Sequence, residues 1–315
     1  MHIPDGFLDL KTAVGSAVVA GAGLATAARA VTHSLPQRKV PLLGVAAAFI
    51  FAAQMLNFPV LGGTSGHLIG GTLAALLLGV APAVIVMTAV LVVQCFVFAD
   101  GGVTALGANV FNMALAAPMI GYAAARLVQR AVPGQRGMIA GAAFGGWCST
   151  VAAATSCAAQ LALSGIVAWH LVLPAMAGVH MLIGVGEGLI TALVLAGVLQ
   201  MRPELLNESQ ADKKHKDSSM AMIGFVVALG LAVFVGPFAS PLPDGLERVA
   251  ETLGFASAAA DAPVVPAPIP EYELPGLRSP VLAVALAGAL GTVIVFGLAL
   301  LLARALVPKN RSTRN

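Results

Sequence analysis

Charge is scarce in this sequence. Aspartate, glutamate, lysine and arginine together make up 10% of its 315 residues, against roughly a quarter in soluble domains. That scarcity excludes an ordinary water-soluble globular protein. The only three cysteines, Cys95, Cys148 and Cys157, lie inside apolar runs and show no C-x-x-C spacing. A disulfide framework and a thiolate metal site are therefore both excluded, and the three read as small apolar residues of packed helices. There is no G-x-x-x-x-G-K-[ST] segment, so the chain is expected to have no ATP site of its own. The start, "MHIPDGF", lacks the basic residues, apolar core and small-residue cleavage site of a secretory leader, and these seven residues are expected to remain. The net charge of +3 does not argue for nucleic acid, because its placement follows the apolar runs.

What the sequence has in excess is apolar length. Hydrophobic residues account for 58% of it, and runs near 12–32, 40–58, 66–80, 81–98, 104–128, 138–164, 171–200, 218–238 and 281–306 stand out. Most meet the roughly 20 residues that a bilayer demands, which predicts an all-α polytopic membrane protein set in membrane lipid. The run at 66–80 is short, reaching about 22 Å of a core about 30 Å thick, and Pro82 in "GVAPA" is expected to interrupt the helix behind it. Charge tests whether this run counts as a crossing. Arg29, Arg38 and Lys39 follow the first run and Arg126, Arg130 and Arg136 the fifth, and both clusters belong on the cytoplasmic side. An even number of crossings must separate them, so 66–80 crosses or re-enters as one arm of a hairpin. The same parity puts Arg202, Lys213, Lys214 and Lys216 inside with Arg304, Lys309, Arg311 and Arg314, and leaves Lys11, Arg248 and Arg278 outside. The amino terminus, "NFPVLGGTSGH", "ADGG" and the loop from 239 to 280 then face outward, and the carboxyl terminus inward.

Two parts follow. Residues 1–200 form a seven-helix unit, 201–217 a charged cytoplasmic linker, and 218–308 a two-helix hairpin. The hairpin's outer loop opens with a Pro-Asp-Gly turn and a short helix in "PLPDGLERVAETLGF" and runs on through the proline-rich, extended "APVVPAPIPEYELPG".

Polar residues gather near the outer face: Gln54, Asn57, His67, Gln94, Asp100, and Asn109 with Asn112 one turn apart. His180 and Glu187, seven apart, share a helix face. Ionisable groups within spans are costly and so are functional candidates, with a structural hydrogen bond between helices as the competing reading. His2 differs by position. A free amine, the amide nitrogen of residue 2 and the Nδ1 of a histidine there close two fused chelate rings in one plane. The amide must lose its proton, which favours Ni(II) or Cu(II) in a square-planar nitrogen set, and His67 is the natural fourth nitrogen. Pro4 would turn the chain back, with Asp5 placed to accept neighbouring hydrogen bonds. On spacing alone, a histidine in second place is more often incidental.

The wording goes further. "MHIPDGFL", "NFPVLGGTSGHLIGG" and "DGGVTALGANVFNM" closely resemble the CbiM/NikM family, the substrate-binding membrane components of energy-coupling-factor nickel and cobalt importers. The likeness covers residues 1–200, and "PDGLERVAETLGF" resembles the PDGLE accessory domain. The resemblance implies that Met1, through its amine, His2, through its amide and imidazole, and His67 bind the metal. Asp5, Asn57, Ser65, Gln94 and Asn109 are then expected to support them. It also implies a transported Ni2+ or Co2+, a transmembrane coupling (T) subunit, paired ATPase subunits that hydrolyse ATP for this non-enzymatic chain, and a place in the cell membrane. Ala13, Ala17, Gly21 and Ala25, one small residue at every fourth position, are candidates for docking the coupling subunit, as is the Gly141/Gly145 pair more weakly. The planar nitrogen set and the fused hairpin favour nickel over cobalt.

Two rivals come from other classes. "GTSG" matches the G-x-S-G of intramembrane serine proteases, with Ser65 as nucleophile and His180 as base. A partner-independent metal channel or carrier would use His180 and Glu187 as a relay.

Overall fold

The structure, a computed structural model, describes residues 1–201 and 217–307. Residues 202–216 of the expected linker lie outside the described residues, and so do Lys309, Arg311 and Arg314.

The nine apolar runs become helical, with α5 and α6 sharing one run and α10 lying outside them all: α1 (Leu10–Ser34), α2 (Val40–Gln54), α3 (Gly71–Leu78), α4 (Val80–Phe98), α5 (Leu106–Asn109), α6 (Ala117–Ala131), α7 (Gly134–Leu163), α8 (Trp169–Met201), α9 (Asp217–Gly230), α10 (Gly245–Leu253) and α11 (Pro280–Leu306). A π-helical turn over Val110–Ala116 joins α5 to α6 in one continuous span, Leu106–Ala131. Another, Leu231–Val235, extends α9 to the span Ala221–Phe238. Seven helices among the described residues are long and apolar enough to cross a membrane. The protein is a multi-pass, all-α membrane protein.

The two short helices depart from the expected boundaries for identifiable reasons. α2 ends at Gln54 because residues 58–66 form a small antiparallel hairpin, β1 (Phe58–Val60) with β2 (Thr64–Gly66). α3 has eight residues and rises only about 12 Å, so it cannot span alone and forms the short arm of a hairpin with α4. The break between them is set by Gly79, at φ 93° and ψ 161°, a conformation that glycine alone adopts without strain. Pro82 sits inside the first turn of α4, where a missing N–H costs nothing. The expectation that Pro82 makes the break is corrected accordingly.

Residues 64–70 run non-helically through the interior, all buried. Such backbone is tolerated at membrane depth only where protein groups satisfy it, and here they do. The Glu187 carboxylate of α8 accepts from the backbone N–H groups of Ile69 (2.5 Å) and Gly70 (3.0 Å), and the Gln54 amide donates to the Ile69 carbonyl at 2.7 Å. Replacing Glu187 by alanine orphans two buried donors at about 1–3 kcal/mol each. Glu187→Ala is expected to lower the melting temperature of the detergent-purified protein markedly, and Glu187→Gln, which keeps one acceptor, to do so less.

Glycines let α6, α7 and α8 approach closely. Gly141 lies against Ala125, Gly145 against Gly121 and Gly146 against Gly188. The Gly141/Gly145 pair is thus used inside the chain. On α1, Ala13 is buried and Ala17 packs on Gly107, whereas Gly21 and Ala25 are exposed.

The accessory helices α9 and α11 pack on α2, with Gly44 against Phe296 and Gly291 against Phe51 and Phe98. Their connecting loop crosses the mouth of the helical unit. Ser240 N–H donates to the Asn57 carbonyl (2.7 Å), Ala260 N–H to the Asp5 carbonyl (2.8 Å) and Ile269 N–H to the Val97 carbonyl (3.0 Å). The expected short helix after the Pro-Asp-Gly turn is α10, which starts in a capping box of Asp244 and Glu247.

Candidate metal site

The amino terminus is buried: Met1 is 5% exposed and Ile3 is fully buried. Ile3 exchanges two hydrogen bonds with Asn109, its N–H donating to Oδ1 (2.8 Å) and its carbonyl accepting from Nδ2 (3.1 Å). Asp5 accepts from the N–H and hydroxyl of Thr104 and from Val264 N–H. Two expected supporting residues, Asp5 and Asn109, therefore fix the first five residues in place.

That anchorage delivers the terminal amine to His67. The ammonium donates to His67 Nε2 at 2.8 Å, across 66 residues of sequence. The Nδ1–H of His67 donates to the Leu68 carbonyl at 3.0 Å, which fixes the tautomer and leaves the Nε2 lone pair facing the amine. With Nδ1 donating and Nε2 accepting, the ring is neutral.

The other partner of the amine comes from the accessory loop. Asp244 Oδ2 accepts from the ammonium at 2.6 Å. Burial acts to raise the Asp244 carboxyl, but the ammonium more than offsets it and holds the carboxyl below its ordinary range. Burial likewise acts to lower the terminal ammonium, and Asp244 outweighs it, leaving the group above its usual 8.0.

The His2 ring stacks on His67, centroids 5.4 Å apart. Its Nδ1 lies 2.9 Å from Asp100 Oδ1 and its Nε2 3.1 Å from Gln94 Oε1. The amide orientations follow from the Ile69 carbonyl, which can only accept. Gln54 donates to it, so Gln54 Oε1 accepts from Gln94 Nε2 (2.8 Å), and Gln94 turns Oε1 to His2. Both His2 nitrogens thus face acceptors in the metal-free chain, and His2 must exchange one of these bonds to offer a lone pair. Tyr272, stacked on Phe98 at 4.6 Å, holds the other Asp100 oxygen with its hydroxyl at 2.5 Å.

Of the remaining candidates, Ser65 is fully buried and donates to the Leu242 carbonyl at 2.7 Å, while Asn57 meets the accessory loop through its carbonyl. His180 donates from Nδ1 to Met176 in its own helix, and its Nε2 has no partner. The serine–histidine pair of a protease is therefore not assembled. Asn112 lies within the π turn and pairs with Gln160 and Ser156 rather than with the site. Glu187 holds backbone, as described above. Among the described residues no three His, Cys, Asp or Glu side chains cluster as a metal site. The sequence reading gathered Asp100 at the outer face without giving it a role, and it missed Asp244 and Tyr272 as members of this site. An Asp-x-x-Glu capping box is visible in "PDGLE", but nothing local tells where its second oxygen points.

The family model described as the cobalt uptake substrate-specific transmembrane region, CbiM, matches residues 2–205, and the PDGLE domain matches 218–307. A protein of Archaeoglobus fulgidus carrying the name NikMN, for a fused nickel transport protein, is 37% identical over 306 residues, covering 96% of this chain and 98% of its own. The LarMN protein of Lactiplantibacillus plantarum, named as a fused nickel transport protein, is 33% identical and covers 72% of this chain and 73% of its own. A solved transition metal transporter aligns with TM-score 0.60 and 33% identity over 68% of this chain and all of that one. The chain belongs to the CbiM family of nickel and cobalt transport proteins, with a PDGLE domain behind it.

Proposed function

We propose that this chain captures one divalent transition-metal ion at its extracytoplasmic face, nickel in preference to cobalt, and passes it inward as the substrate-binding component of an ATP-driven energy-coupling-factor importer. The ligands are the Met1 amine, the His2 amide and imidazole, and His67 Nε2. A separate coupling subunit and paired ATPases complete the assembly, with the exposed Gly21 and Ala25 side of α1 as the docking stripe. The observation that carries this reading is the buried 2.8 Å approach of the terminal amine to the unprotonated nitrogen of His67. Lone pairs on those two atoms converge where an ammonium proton now lies. The nickel names of the fused relatives and the planar nitrogen set support nickel. The outward amino terminus rests on the distribution of basic residues.

Elemental analysis of the purified chain with its native terminus tests the proposal. One nickel per chain, yellow and diamagnetic, is the expected result. A chain that binds no nickel, or binds it with an octahedral spectrum, overturns the ligand set.

The pH dependence follows from the site electrostatics. Metal must displace a proton from the amine. Since the Asp244 pair raises that ammonium above 8.0, protons compete throughout the neutral range, and apparent affinity rises with pH by about tenfold per unit for each proton released, the amide proton of His2 continuing the rise above the ammonium's own range. His67, whose Nε2 already accepts from the amine, has no proton to release there and contributes nothing to this slope. Equilibrium dialysis against nickel between pH 6 and 9 checks it, and a flat profile contradicts it.

A further inference from the structure

We propose that Asp244, carried by the accessory domain, is a working part of the cargo site: it positions the terminal amine and balances the site's charge in both the empty and the loaded state. This rests on the ligand set proposed above. The two oxygens of Asp244 divide their tasks. Oδ1 accepts from Leu246 N–H (2.7 Å) and Glu247 N–H (2.9 Å), fixing the carboxylate on α10, and Oδ2 alone reaches the amine. The turn that bears it is fastened to the loop carrying His67. Ser65 N–H donates to the Pro243 carbonyl at 2.8 Å, and the Thr64 hydroxyl donates to the same oxygen at 3.0 Å. Gly245 fits against α8 so closely that an added Cβ would stand 2.7 Å from both His180 Cε1 and Ile183 Cδ1.

Charge gives the carboxylate a function beyond capping. In the empty site the positive ammonium faces the negative carboxylate and the pair is neutral. Loading sends the ammonium proton and the His2 amide proton to solvent and brings in two positive charges. Asp244 beside the amine and Asp100 beside the His2 ring each bring a negative charge to bear on the ion, in addition to that of the amide nitrogen. An uncompensated charge at this depth would be costly. A metal-bound amine still carries two hydrogens, and one of them keeps the bond to Oδ2 and the amine's direction toward His67.

The test uses the full chain with its native terminus and nickel(II) alone, by equilibrium dialysis and visible absorption. Asp244→Asn keeps a capping oxygen and removes the charge. Its nickel dissociation constant is expected to rise about 10–100-fold, as loss of a partner that orients a ligand does, with the absorption band at saturation unmoved. Gly245→Ala keeps Asp244 but pushes the turn off α8, and should weaken binding comparably. The double variant should be no weaker than the weaker single one, since both remove the same contact. His67→Ala is measured in parallel. If Asp244→Asn binds like the wild type while His67→Ala does not, Asp244 is only a helix cap and this inference fails while the ligand set stands. Additive losses in the double variant also overturn it. If His67→Ala binds like the wild type, the ligand set and this inference fall together.

Discussion

A chain extended by a single residue ahead of Met1 is expected to lose its high-affinity metal, while the same addition after Asn315 leaves it intact. The extension turns the terminal amine into an amide and moves the new amine out of the fused-ring geometry, yet leaves His2 and His67 unchanged in sequence. The structure adds a steric reason. Met1 is 5% exposed, with its nitrogen enclosed by His67 and Asp244, so an extra residue has no room without unseating the segment that Asn109 and Asp5 anchor. The loss should exceed the about 10–100-fold that removal of a supporting contact costs. Metal stoichiometry of the two tagged forms after identical purification decides the matter, and equal content in both would rule out the amine as a ligand.

His67→Ala is expected to abolish most transport while leaving weak binding. Three nitrogens from two residues remain, but the fourth in-plane position opens, and the amine keeps only Asp244 as a partner. Nickel uptake by cells expressing the importer should fall to near background, whereas the purified variant should still take up nickel at raised concentration. Undiminished uptake would put the fourth ligand elsewhere. His180 is then the next candidate, because its unpartnered Nε2 lines a void of about 10 Å³ with Met1, His67 and Asp244.

The sequence made the helices legible because the requirement for apolar length overrides subtler preferences, and each of the nine runs corresponds to helix in the structure. Boundaries failed where one residue's backbone preference competed with that requirement. Gly79 ends α3 through its positive φ, three residues ahead of the proline that local rules favour, and α2 stops short because residues 58–66 find a hairpin partner in each other. At the candidate site, the meeting of Met1 and His67 was legible from ligand chemistry and from the family wording. The orientation of His2 was not, since Asp100 and Gln94 claim its nitrogens through contacts 98 and 92 residues away. Asp244 was out of reach for the same reason, being 243 residues from the amine it holds. His180 and Glu187 share one face of α8, as their spacing demanded, yet one holds backbone and the other keeps a free nitrogen. Spacing fixes a face, but only the neighbouring elements assign the task.

The carboxylate of Glu187 has a mechanical meaning. It grips Ile69 and Gly70 from α8, two and three residues beyond His67, so the imidazole rides with α8 as one stiff body. The peptide that carries the amine is tied through Ile3 to Asn109 on another span, although Asp244 links the amine itself to the α8 side. An ion ligated by imidazole and amine would be a rivet across the seam between them. Sliding α8 against the span Leu106–Ala131 would then shear the coordination plane of the ligand set proposed above, so that helix movement alone loosens the ion.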